Sequence, residues 1–102
     1  MNGSIIIPEK FKLNKKIIRV MVDDDYCNQN EFLGEADFTE KVITLCDKYA
    51  GKRIKKAEKE KTFYHELTHM ILDSMKRHKL KYNEDFVEDF AQRLYEYEKT
   101  KV

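Results

Sequence analysis

The stretch Phe63-Tyr64-His65-Glu66-Leu67-Thr68-His69-Met70 carries the pattern His-Glu-x-x-His. On a helix, His65 and His69 stand one above the other on the same face, where two imidazoles can grip one metal ion. Glu66 then lies about 100° round the helix from His65 and roughly 60° from His69, beside such an ion and not on it. A carboxylate there can take a proton from a water that the ion activates, the general-base role in zinc-assisted hydrolysis. Chance would place these three residues at this spacing in a ~100-residue chain roughly three times in a thousand.

Two histidines hold zinc loosely, and a hydrolytic site has three protein ligands with the fourth position left for water. The downstream candidates are His78, Glu84, Asp85, Glu88 and Asp89. A continued helix would turn His78 away from the other two histidines, and Lys79 and Lys81 would bring positive charge to the ion. On a second helix whose buried face is centred near Leu94, Glu84 lies about 80° from that centre and Glu88 about 120°, with Asp85 and Asp89 farther round. Glu84 is therefore the preferred third ligand, Glu88 the next, and His78 a distant third. Tyr64, Tyr82 and Tyr95 are candidate donors to an oxyanion, and the sequence does not choose among them. Asp73, one turn beyond His69, could hold a ligand imidazole in its tautomer or pair with Lys76 or Arg77.

These residues need a scaffold, and the pattern predicts an α+β one. Residues 5–13 read as an extended edge segment broken by Pro8. Ile17-Ile18-Arg19-Val20-Met21-Val22 is the clearest strand, followed by Asp23-Asp24-Asp25, which lacks the spacing of a calcium loop and reads as solvated. Residues 26–34 read as a long loop. Gly34-Glu35-Ala36-Asp37-Phe38 and Val42-Ile43-Thr44-Leu45-Cys46 form a hairpin, which with the Ile17 strand makes an antiparallel sheet of about three strands. Tyr49-Ala50-Gly51 closes the β part. A helix over residues 53–77 follows, with Ala57, Tyr64, Leu67, Ile71 and Met75 as its apolar stripe, widened by Phe63 and Met70. His65 and His69 fall outside that stripe and face a cleft or solvent. A last helix over residues 83–99 has Asn83 as N-cap and buries Phe86, Val87, Phe90, Ala91 and Leu94. The 102 residues suit one domain, 1–102.

Composition excludes several classes. Charged residues are 38% of the chain, yet the net charge is +1, so nothing global recommends nucleic acid or an anionic membrane. The basic run from Lys52 to Lys61, interleaved with Glu58 and Glu60, reads as a solvated helix surface. No stretch is long enough to span a membrane, and Met1 to Pro8 lacks the features of a signal peptide. A cytoplasmic protein is expected, with Cys27 and Cys46 as free thiols.

Two stretches together resemble a known group. Thr62-Phe63-Tyr64-His65-Glu66-Leu67-Thr68-His69, with Glu84-Asp85-Phe86-Val87-Glu88-Asp89-Phe90-Ala91, is similar to the metal-binding half of ImmA/IrrE-type zinc metallopeptidases, and to short phage and prophage proteins of that kind. The hairpin at Gly34-Glu35-Ala36-Asp37-Phe38 resembles the one they carry before the helix. The resemblance implies a minimal zincin-like fold and a gluzincin-like site, with His65, His69 and Glu84 on zinc and Glu66 as base. It also implies a protein or peptide substrate in a bacterial host cytosol. Two other classes compete: a catalytically inactive metal-binding domain that serves as a protein-interaction module, and a nucleic-acid accessory using the Lys52–Lys61 face.

Overall fold

A computed structural model describes residues 5–102; Met1 to Ser4, the start of the N-terminal stretch read above, lie outside it. Two extended segments, β1 (Lys10–Leu13) and β2 (Lys16–Val22), form an antiparallel pair about a tight turn in which Asn14 and Lys15 both take positive φ. β1 stands at the sheet edge, as its polar alternation requires. β2 turns Ile18 into the core and leaves Ile17 and Met21 outside, a period of two.

The next segment departs from the expected loop. Residues 24–30 form α1 (Asp24–Asn30), with Asp23 as N-cap accepting from the Tyr26 amide at 3.0 Å and Glu31 closing the helix in the left-handed region. Asp24 is not a loosely solvated acid either. Its carboxylate accepts from the Asp47 and Lys48 amides, at 2.7 and 3.2 Å, and those bonds hold it below the usual carboxylate range. The acidic triplet thus caps a helix and ties down a loop, jobs that alternation along a sequence cannot display.

β3 (Gly34–Asp37) and β4 (Val42–Leu45) form the expected hairpin, but the sheet is four-stranded and mixed, in the order β1-β2-β4-β3, with β4 parallel to β2. The expected three-stranded antiparallel sheet is corrected on both counts. The reason is burial: Ile43 and Leu45 are fully enclosed and take the centre, while Gly-Glu-Ala-Asp can sit at an edge. α1 carries the chain across the sheet end and makes the parallel pairing possible. A two-residue hairpin follows, β5 (Lys48–Tyr49) and β6 (Lys52–Arg53), turning through Ala50 and Gly51 at positive φ.

α2 (Lys56–Ser74) carries the His-Glu-x-x-His pattern and starts later than expected because Lys52 and Arg53 belong to β6. Phe63, Tyr64 and Met70 are buried against Ile18, Ile43 and Leu45, with Leu67 partly buried beside them. Ala57 and Met75, the ends of the expected stripe, are exposed. α2 ends in a left-handed Lys76, with the Lys76 amide bonded to the Asp73 carbonyl and the Arg77 amide to that of Leu72. This reversal, adopted without the customary glycine, folds the short α3 (His78–Lys81) back along α2.

α4 (Glu84–Thr100) begins at Asn83, whose side chain accepts from the Phe86 amide at 3.0 Å, as its N-cap role predicts. It lies against α2 through Val87 and Ala91, with Leu94 partly covered. Phe86 and Phe90, expected inside, stack on each other at the surface, because the apolar arc of α4 is wider than the strip α2 can cover. Glu60, read above as solvated, is 2% exposed between the helices; its Oε1 accepts from the Tyr95 hydroxyl at 3.3 Å. Cys27 and Cys46 are buried free thiols.

Gly34 sets how closely β3 approaches α2. A Cβ built there would stand 2.5 Å from Thr62 Cγ2 and 3.2 Å from the Thr44 carbonyl oxygen. Gly34→Ala should therefore cost about 1–3 kcal/mol of stability, read from the midpoint of urea denaturation. An unchanged midpoint would mean that the strand and helix can separate freely.

Candidate metal centre

α2 places His65 and His69 on one face with ring centroids 5.0 Å apart. The first turn of α4 brings Glu84 across both. Glu84 Oε2 lies 3.1 Å from His65 Nε2, and Oε1 lies 3.2 Å from His69 Nε2. One donor atom from each residue falls within 4.8 Å of the others. Donors bound at about 2.0–2.2 Å in a tetrahedron stand about 3.3–3.6 Å apart, so a small shift would let these three close on a zinc-sized ion.

The opposite ring nitrogen of His69 is also held. His69 Nδ1–H donates to the Lys81 carbonyl at 2.8 Å, which directs the Nε2 lone pair towards Glu84. Burial is the main influence on His69 and lowers its pKa, against the opposing pull of the Lys81 carbonyl and Glu84. In the neutral ring this tautomer turns the Nε2 lone pair towards a carboxylate oxygen, a contact that protonation of the ring or a bound cation would make favourable. Two acceptors at that distance repel unless a cation bridges them. The donor set therefore fits a divalent metal. His65 Nδ1 lies 3.5 Å from Glu88 Oε2 without a hydrogen bond, while Glu84 faces both Nε2 atoms. One helical turn separates the two carboxylates.

His78 is not part of this cluster. It opens α3 and lines a separate pocket with Lys16, Lys41 and Lys76. Asp73 pairs with neither Lys76 nor Arg77 and touches no ligand imidazole. It binds the Lys81 ammonium at 2.9 Å and that of Lys41 at 3.4 Å. Burial opposes its ionisation, but the Lys81 hydrogen bond and the two lysine charges outweigh that and lower its pKa. The Lys81 ammonium also lies 4.3 Å from the centre of the Phe38 ring. A lysine thus supplies the group that fixes the His69 imidazole, and it does so through its carbonyl. No side-chain pattern could have revealed that.

Glu66 is 8% exposed, beside the ligands and without a hydrogen bond among the described residues. Burial, with Glu84, Glu35 and Glu88 nearby, pushes it up to about 8 in the metal-free protein. A divalent cation beside it would favour the ionised form. The cleft above it is lined by Gly34, Ala36 and Phe38 along the β3 edge and by Tyr82 opposite. Of the three tyrosines proposed as donors, Tyr82 lines this cleft; Tyr64 is buried and Tyr95 is committed to Glu60. Among the described residues no helix is long and apolar enough to cross a membrane.

The two pKa shifts predict how the metal-free protein responds to pH. The unfolded chain gains a proton at His69 as pH falls through 6.5, so that contribution to stability grows up to that pH. Glu66 ionises from about 4.5 when unfolded and about 8 when folded, so its contribution is full below 4.5 and lost as pH rises through 8. Above pH 6.5 the second effect dominates, and the thermal midpoint should fall with pH there. Glu66→Gln should flatten that slope, and a flat wild-type profile would exclude a protonated buried Glu66. Separately, Glu88→Gln should weaken zinc binding by no more than about fivefold in a chelator competition, because its contact with His65 Nδ1 is long and exposed. Comparison with protein-family models, with curated proteins and with solved structures finds no match.

Proposed function

We propose that this chain is a zinc-dependent peptidase with a minimal zincin-like fold, similar to the ImmA/IrrE-type metallopeptidases. The observation that carries the proposal is the convergence of both Nε2 atoms on the Glu84 carboxylate, with the unpartnered Glu66 beside them. His65, His69 and Glu84 would hold the ion and leave a position towards the cleft. Zinc, when bound, supplies Lewis acidity to water and to a carbonyl group.

The chain's own residues supply the rest. Glu66 accepts a proton from the attacking water and returns it to the leaving amine, a transfer favoured by its position at the cleft floor. Tyr82 lines the cleft, and its hydroxyl would be the donor to the oxyanion that develops on the carbonyl. β3 is an edge strand, and an extended peptide can pair with its free side and lie across the site. The likeness to phage and prophage proteins extends this reading to a protein substrate in a bacterial cytosol.

The second reading, a metal-binding interaction module without catalysis, draws on the exposed Phe86–Phe90 stack beside Glu84 on α4. Metal content separates the readings when joined to turnover. Protein purified without chelator or His-tag should hold about one zinc per chain by elemental analysis. Glu84→Ala should lose that zinc. Glu66→Gln should keep it while cleavage of a mixed peptide library falls about 10²–10⁴-fold. Zinc retention with no turnover in the wild type would favour the interaction module. A wild-type protein that takes up no zinc when supplied with it would overturn both readings.

A further inference from the structure

The cleft has two unlike arms that meet at His65 and Glu66. One, of about 370 Å³, runs to Phe38 and Tyr82. The other, of about 400 Å³, runs between Leu33 and Gly34 on one side and Glu58, Thr62 and Glu88 on the other. Both volumes suit one or two side chains of an extended ligand. Gly34, His65 and Glu66 border both arms, so a peptide lying along β3 would enter each in turn.

The second arm is acidic, and its charge is not neutralised from within. No ion pair among the described residues involves Glu58. Glu88 uses Oε2 to face His65, and its side chain is more than half exposed. Lys61 borders the same arm, but its ammonium lies 5.8 Å from the centre of the Tyr95 ring, towards α4. Glu66, more than nine-tenths buried and without a hydrogen bond among the described residues, lines its inner end. Leu33 is 40% exposed at the outer wall and offers apolar surface. The combination suits a long side chain with an aliphatic stem and a cationic head.

We propose that this arm is a specificity pocket for a lysine or arginine of the peptide substrate, with its stem on Leu33 and its head between Glu58 and Glu88. The inference rests on the peptidase reading above and adds the substrate class.

Peptide hydroxamates test the two layers apart, because the hydroxamate engages zinc whether or not any peptide bond is cut. Zinc-loaded full-length protein is titrated calorimetrically with short hydroxamates carrying Lys, Leu or Glu beside the zinc-binding group, in both chain orientations. In one orientation the Lys compound should bind about tenfold more tightly than the Glu compound, and the ratio should shrink in high salt. Glu58→Lys, at an exposed position that touches no ligand, should remove or reverse that ratio and leave binding of the Leu compound within about twofold. Equal affinity for Lys and Glu compounds in the wild type would overturn the pocket and leave the zinc site standing. A Lys preference unchanged in Glu58→Lys would overturn its assignment to this arm. No binding of any hydroxamate to zinc-loaded protein would overturn the peptidase reading itself.

Discussion

A carboxylate on one helix meets two imidazoles on another, and much of the structure is arranged around that meeting. Glu84 cannot reach His65 and His69 unless α4 starts beside the middle of α2 and runs back along it. The left-handed turn at Lys76, the single turn of α3 and the Asn83 cap achieve that start within ten residues. Each is a local device of modest strength. Together they leave α4 one way to begin. Val87 and Ala91 then hold it there by filling the groove on α2, so apolar packing fixes the position of a charged group.

Bringing carboxylates together has a cost that the surroundings divide unevenly. Glu84 and Glu88 remain largely exposed, where water screens them, whereas Glu66 lies deep and takes the larger penalty. His69 is held neutral by burial and aimed by the Lys81 carbonyl. The Asp73–Lys81 pair anchors that carbonyl, and Lys41 links Asp73 to the Phe38 carbonyl at the end of β3. One partly buried ionic network thereby ties the edge strand, the histidine helix and the turn before α4 into one wall. Removing Asp73 or Lys81 would leave a partly buried charge without its partner, which favours keeping the pair in one geometry.

The sheet contributes differently. β4 supplies Ile43 and Leu45 to the core and β2 supplies Ile18, which leaves β3 free at the rim. Its charged residues protect an otherwise open edge from indiscriminate pairing. Gly34 allows that edge to lie hard against α2, so the strand and the His-Glu-x-x-His helix form the two sides of one cleft.

Much of this was legible along the chain. The α+β order, the β3–β4 hairpin, the histidine helix and the Asn83 cap follow from local pattern, and the helical repeat puts Glu84 on the side of α4 that the structure groups with His65 and His69. Other features depended on contacts between distant segments. The parallel β2–β4 pairing, α1 in place of a loop, the burial of Glu60 and the exposure of Phe86 and Phe90 each reflect which surface won a limited place in the core. The hold on His69 depended on them most. It comes from a backbone carbonyl, which every residue has, so no residue type announces it. Side-chain chemistry and period were written locally; which groups face each other was decided when α4 packed on α2, because only folding brings residues far apart in sequence within bonding distance.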